Sequence, residues 1–356
     1  MSSADVDVVV PVHTAERPIG RAVASVLRGT TSRVRLLVVC HEIDPAIVAH
    51  ALAQIGLAGD DRITLLPYHD GLRSPAGPFN RGLAAVESPF FAELGSDDTL
   101  AHGALDAWLA LARARDAEIV IPSMAWPRAV ATPPVRPRHR ALLDPVADRL
   151  AYRTSTVGLI SRRLRERARA TEGLRTGEDI APSLRLWFSG ARIAQGDRSA
   201  PYVVHTDGDD RATAGNSIAD ALAFVPSVVG DQDLRALGAR ERAAIAAKLL
   251  RVHVFGAITA HTGEWNAEDR VTVSAAARQV CTFGDAVGAL SIADRRMLAL
   301  ALRPQTADRD LEHAAATRRR RLHPATLLPA RAAAWRRPDG AGRIDAAFAL
   351  ALTRTH

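Results

Sequence analysis

The feature that most restricts the fold is an alternation, through the first third of the chain, of short β-branched apolar runs with segments of helical period. Asp7-Val-Val-Val-Pro11 reads as a buried strand closed by proline. A helix follows, with Pro18 in its first turn and Ile19, Val23, Val26 and Leu27 on one face. Val34 to Val39 is a second strand, and Asp44-Pro45 caps a helix running to about Leu57. Ile63 to Leu66 is a third strand, after which Ser74-Pro75 opens another helix. Phe90 to Leu94 reads as a strand, Thr99 to Ala112 as a helix and Glu118 to Ile121 as a fifth strand. Such alternation predicts an α/β, Rossmann-like, mostly parallel sheet flanked by helices. Sheets of this kind bind ligands beyond the carboxyl ends of their strands, here Pro11–Glu16, Cys40–Asp44, Tyr68–Asp70 and Gly95–Asp98.

Residues 123–145 are rich in proline and arginine and read as a loop. From Ile218 the pattern turns helical, with Ile245, Leu249, Val252 and Gly256 on one face and Ser291 with Asp294 as a capping box. A length of 356 residues accommodates two domains, expected at 1–217 and 218–356. The formal net charge of +7 is carried almost wholly by arginine, Lys248 being the only lysine. That balance favours anionic partners. Arg318–Arg321 and Arg331–Arg337 concentrate it, as a segment for an anionic membrane or, more plainly, as a solvated helical face or oligomer contact. Aromatic residues are only 4% of the chain, too sparse for a base-stacking nucleic-acid binder. Cys40 and Cys281 have no metal-ligand spacing and suit a reducing cytoplasm. The acidic Met1–Asp7 is unlike a signal peptide, and no stretch is expected to reach membrane-span length.

Three constellations could carry chemistry. Gly95-Ser-Asp-Asp-Thr99 sets adjacent carboxylates at the sheet's ligand edge, where they could hold a divalent cation or simply cap the next helix. Gly177-Glu-Asp179 could supply a general base, or Asp179 could form a capping box with Thr176. Tyr202-Val-Val-His205 is strand-like and ends in an imidazole able to complete a cation's coordination. His13, after the first strand, could stack or hydrogen-bond near a base. No dinucleotide fingerprint, P-loop or nucleophile elbow is present.

The order of these segments resembles the family 2 glycosyltransferases of the GT-A fold. It is carried by Val8–Glu16, Leu36–Val39, Ser74–Gly82, Phe91–Asp98, Gly177–Asp179 with Leu184-Arg-Leu-Trp187, and Tyr202–His205. The resemblance spans residues 5–215 and leaves the helical remainder unexplained. It implies a GT-A domain in which Pro11, His13 and Glu16 contact the nucleotide, and Asp70 and Asn80 frame it. Asp97 would bind the sugar diphosphate and, with Asp98 and His205, a divalent cation (Mn2+ or Mg2+). Asp179 would be the catalytic base of an inverting transfer, with Glu178 holding the acceptor or orienting that base.

The family often carries Asp-Asp-Gly-Ser after its second strand, where this chain has Cys40-His41-Glu42-Ile43, and Gly95 replaces the first metal-motif acid. Phe79 stands where a basic residue often precedes the asparagine. The expectation is nonetheless an active, metal-dependent enzyme, cytoplasmic or peripheral at the inner face of the membrane, using a UDP-sugar as donor. Its acceptor would be a hydroxyl of a glycan or polyol-phosphate surface polymer; the alternative is an inactive nucleotide-sugar-binding or scaffold relative.

Overall fold

The computed structural model describes residues 4–126, 129–131, 142–206, 217–261, 265–320, 322–329, 337–338 and 340–342. The alternation read from the sequence appears as β1 (Val6–Val12), α1 (Ile19–Leu27), β2 (Val34–His41), α2 (Pro45–Gln54) and β3 (Ile63–Tyr68). It continues through α3 (Ala76–Ala84), β4 (Phe90–Glu93), β5 (Thr99–Leu100), α4 (Ala104–Arg115) and β6 (Ile119–Ile121). Then come β7 (Met124–Trp126), β8 (Ala129–Ala131), β9 (Leu159–Ser161), α5 (Ile180–Trp187), β10 (Ile193–Gln195) and β11 (Tyr202–Val203). A seven-stranded sheet runs β10-β6-β9-β4-β1-β2-β3, parallel except for β9, and a smaller sheet runs β5-β11-β7-β8.

The central strands are buried on both faces, which is why β1 and β2 read as unbroken apolar runs. Asp7 is the exception within β1. Its buried carboxylate accepts from Arg35 at 2.8 and 2.9 Å, from the Ser88 hydroxyl at 2.7 Å and from the amides of Glu87 and Ser88. The helix expected from Thr99 begins only at Ala104, because Thr99–Leu100 pairs antiparallel with Tyr202–Val203. A hydrogen bond to a distant strand here overrides local helical preference.

The C-terminal region is helical: α6 (Ile218–Leu222), α7 (Val225–Val229), α8 (Gln232–Arg235), α9 (Ala239–Lys248), a π-turn at Leu249–Val254 and α10 (Phe255–Ala260). It continues with α11 (Ala267–Phe283), α12 (Ile292–Ala301), α13 (Asp308–Arg319) and α14 (Pro324–Leu327). Val9, Leu37 and Ile119 of the sheet share one contiguous buried cluster with Leu249, Phe255 and Met297, so the helices close over one face of the sheet.

Three expectations for this region are corrected. Val252 is 46% exposed although its period placed it inward, because the π-turn shifts the helical phase and buries Leu250 and Val254 instead. Ala239–Ala260 forms a continuous 22-residue helical stretch of membrane-span length, with mean hydropathy 1.4 in its apolar window, 72% of which is buried inside the fold. Its apolar character serves the core. Arg318, read as part of a solvated basic face, turns inward to pair with Asp294 at 2.8 Å and to lie over the Phe255 ring. Arg321 and residues 331–336 lie outside the described residues.

Candidate active site

The site forms where β1, β4 and β11 end and α5 begins. The antiparallel register that sets Val203 opposite Thr99 brings the chain beyond β11 against the Asp97–Asp98 turn. Tyr202 Oη accepts from the Gly95 amide at 3.0 Å and donates to Asp98 Oδ2 at 2.6 Å. The His205 backbone amide donates to Asp98 Oδ1 at 3.0 Å. Burial, and then the neighbouring charge of Asp97, push the Asp98 carboxyl above its ordinary range against those hydrogen bonds. Neither acid caps a helix: α4 starts after Gly103.

Asp97 turns to the α1 side, ion-paired with Arg17, while Arg21 donates to its carbonyl at 2.5 Å. His205 Nε2 bonds to Thr99 Oγ1 at 2.9 Å, so His205 presents its amide and not its imidazole to Asp98. The three residues expected to ligate a cation are therefore neighbours whose side chains point to different partners. Their donor set still fits a divalent cation: two adjacent carboxylates, one of them raised by burial and like charge, would be relieved by it.

Pro11 is half-buried one residue before the end of β1, and His13 and Glu16 stand exposed on the loop beyond it. Glu16 is held below the ordinary carboxylate range by its own amide and the Thr14 hydroxyl. Asp70 lies past β3 and accepts from His41 Nε2 at 2.8 Å. Glu42 accepts from the amides of Asp70 and Gly71, both at 2.8 Å. Among the described residues, His41, Glu42 and Asp70 bring potential ligand atoms within 4.8 Å of one another. Gly77 permits this packing, since a Cβ there would lie 2.3 Å from Asp70 Oδ2. Asn80 is occupied elsewhere. Its amide donates to the Ala170 carbonyl at 3.0 Å and Glu172 Oε1 at 2.7 Å, and accepts from the Ala170 amide at 2.8 Å. Asn80 thus fixes the 170–172 segment.

Asp179 occupies the N-cap position of α5 but makes no side-chain capping bond, and neither does Thr176 form a capping box with it. Its carboxylate is left for the hollow beside it, of about 150 Å3, whose walls include Glu93, Gly95, Thr156, Glu178, Asp179 and Tyr202. The Glu-Asp turn and the Gly95 end of the acidic turn therefore meet at one cavity, while Asp97 lies outside its walls. Burial and then the charge of Glu178 push Asp179 up to about 7, with Lys248 opposing. Burial also raises Glu178.

Sequence reasoning missed three members of this site. Glu93 ends β4 fully buried, accepts from the Thr156 hydroxyl, and is pushed up to about 7 by burial. Its signal was an acid inside an apolar strand two residues before Gly95. Lys248 reaches the neighbourhood of Asp179 from α9, and its signal was the lone lysine of an arginine chain. Arg17, facing Asp97, directly follows the loop assigned to the nucleotide.

Two buried indoles brace the walls: Trp108 Nε1 donates to the Ala200 carbonyl at 2.9 Å, two residues before Tyr202, and Trp187 Nε1 to the Arg153 carbonyl at 2.8 Å. Ala170 also borders an open groove of about 620 Å3 that includes Arg167, Arg169 and Arg185. Arg167 and Arg185 are paired there with Asp233 and Asp231.

Residues 7–169 match the family model described as glycosyl transferase family 2. Among solved structures, S. aureus TarS 1–349 in complex with UDP-GlcNAc is similar with a TM-score of 0.72 at 18% identity, over 88% of this chain and 91% of that one. TarS 1–349 with UDP gives 0.70 at 16% identity over 88% and 91%. A longer S. aureus TarS structure gives 0.69 at 16%, with 87% of this chain covering 55% of that one. Among curated protein sequences, none matches this chain. At such identities the solved structures speak for the fold, and the family model for the N-terminal segment. Residues 7–169 thus match glycosyl transferase family 2, and the fold is that of the TarS structures, a GT-A fold that continues into a helical C-terminal region.

Proposed function

We propose that the chain is an inverting glycosyltransferase that moves a sugar from a nucleoside diphosphate, UDP in the first instance, to a hydroxyl acceptor. The observation that carries this reading is Asp179: an uncapped, half-buried carboxylate in one hollow with the Gly95 end of the acidic turn. The UDP and UDP-GlcNAc bound to TarS support the donor class.

In the proposed step, the acceptor hydroxyl gives its proton to Asp179 as its oxygen bonds to the anomeric carbon. The anomeric C–O bond breaks on the opposite face, and its electron pair leaves with the diphosphate. Glu178 lies beside the base to orient it or the acceptor, and Arg17 and Arg21 add positive charge near the turn that faces the leaving group. A divalent cation held by Asp97 and Asp98 would supply further charge to the leaving diphosphate. The formal net charge of +7 supports an anionic acceptor, a polyol-phosphate polymer or acidic glycan, met in the cytoplasm or at the inner membrane face.

The ion pair between Arg17 and Asp97 favours a second reading, a nucleotide-sugar-binding relative without turnover, since it engages the carboxylate a cation would use. Thermal shift with UDP, with and without Mn2+, together with UDP-sugar hydrolysis, separates the two. Cation-dependent turnover that falls by roughly 10²- to 10⁴-fold in Asp179→Asn, with the UDP shift kept, supports the transferase. A UDP shift with no turnover supports the binding relative, and absence of any shift overturns both.

A further inference from the structure

Lys248 is the chain's single lysine among 46 basic residues, and it is 1% exposed. A buried ammonium is costly unless partners hold it. Its Nζ donates to His253 Nε2 at 2.6 Å, five residues on. In a regular α-helix residues five apart point about 140° from each other at 3.6 residues per turn. The π-turn at Leu249–Val254, in which the Phe255 amide bonds to the Leu250 carbonyl, widens the coil and brings both side chains to one side. Burial and the adjacent ammonium hold His253 well below the ordinary imidazole range, leaving it a neutral acceptor.

The His253 ring meets Phe224 edge-on, with centroids 4.6 Å apart. Phe224 in turn closes on Gly177, where a Cβ would lie 2.9 Å from its ring. This packed line runs from the π-turn to the turn that bears Glu178 and Asp179. Burial pulls the Lys248 ammonium down to about 7 and the Asp179 charge opposes that shift, so lysine and carboxylate each favour the ionised form of the other. The charged groups acting on Asp179 are Glu178 on its own turn and Lys248, of which Lys248 is the cation, while Glu93 across the hollow feels the charge of Asp179 in turn.

We propose that Lys248 is a positioning residue for Asp179: its ammonium is the counter-charge for that carboxylate, and the π-turn with His253 holds it in place. The helical C-terminal region thereby completes a site whose other walls belong to the sheet. The proposal rests on the reading of Asp179 as the base.

The test uses the full chain with Lys248→Met, Asp179→Asn and the double variant. Loss of the cation raises the carboxyl further, so the acid limb of UDP-sugar hydrolysis should move to higher pH in Lys248→Met. Turnover near neutral pH should fall about five- to tenfold, with the UDP thermal shift unchanged. An unmoved limb, or UDP binding lost together with turnover, overturns the proposal. Urea unfolding supplies a readout independent of activity: the midpoint should fall in Lys248→Met and recover in the double variant, whereas additive losses overturn it. Should Lys248→Met fail to fold, His253→Leu should move the limb in the same direction by less, and an unmoved limb there is equally fatal. Full turnover in Asp179→Asn refutes the transferase reading itself. A dead Asp179→Asn with an unmoved Lys248→Met limb refutes only the role of Lys248.

Discussion

Tyr202 and Asp98, separated by 104 positions in the chain, share a 2.6 Å hydrogen bond in which the phenol donates to the carboxylate. The same oxygen accepts from the Gly95 amide, so one side chain ties the small sheet to the acidic turn. Tyr202→Phe leaves the half-buried Asp98 with only the His205 amide as donor and the Gly95 amide without its acceptor, and should cost about 1–3 kcal/mol. Asp98 should then rise further and bind a cation less tightly. A manganese titration of turnover should show a higher half-saturating concentration, and urea unfolding the lost stability.

Glu93 gives a pH signature to stability. Burial, reinforced by the charge of Asp179, holds it at about 7 against an ordinary 4.5, and the Thr156 hydrogen bond opposes only in part. The folded state therefore keeps a proton that the unfolded chain releases, and stability falls as pH rises from about 4.5 to 7. Asp179 works in the same direction. Glu93→Gln should remove the Glu93 share, gaining on the order of 3 kcal/mol at pH 8 and little at pH 4. Urea midpoints at pH 4, 6 and 8 report this directly. Equal gains at all three would mean that Glu93 does not titrate in this window.

Asn80→Ala deletes three hydrogen bonds to the 170–172 segment and strands the Ala170 amide and carbonyl. A loss of about 2–4 kcal/mol follows from those unmade bonds. Because Ala170 borders the hollow, the apparent KM for donor or acceptor should rise more than kcat falls. Steady-state kinetics of the variant, alongside its unfolding midpoint, checks both.

Gly177 adopts φ +81°, which costs an ordinary side chain, and its missing Cβ admits the Phe224 ring. Gly177→Ala should destabilise the chain by roughly 1–3 kcal/mol. It should also displace the Glu178–Asp179 turn, lowering kcat at least tenfold with the UDP thermal shift retained. Retention of full turnover would show that the turn tolerates the shift.

Much of the sheet was legible because strands buried on both faces write themselves as apolar runs, as Val6–Val12 and Val34–His41 do. The Thr99–Leu100 strand was not legible, since its reason is a partner at Tyr202–Val203 and local preference favours a helix. The inward face of the long C-terminal helix was misread for a related cause: one π-turn rotates everything after Leu249, and no residue type announces it. At the site, Asp179 could be named but its freedom from capping could not, because a capping box is a matter of geometry. Lys248 was visible only as a compositional oddity, and its place opposite Asp179 required the fold.

The strand order has a consequence for synthesis on the ribosome. β1, β2 and β3 are neighbours and can associate as they emerge, but β6 waits for β9 and β10, and the acidic turn waits for Tyr202. Until Lys248 follows, Asp179 has no opposing cation to shelter it. The nascent chain must therefore carry an unfinished sheet edge from the emergence of β4 until that of β10, a span in which chaperone capture would matter most.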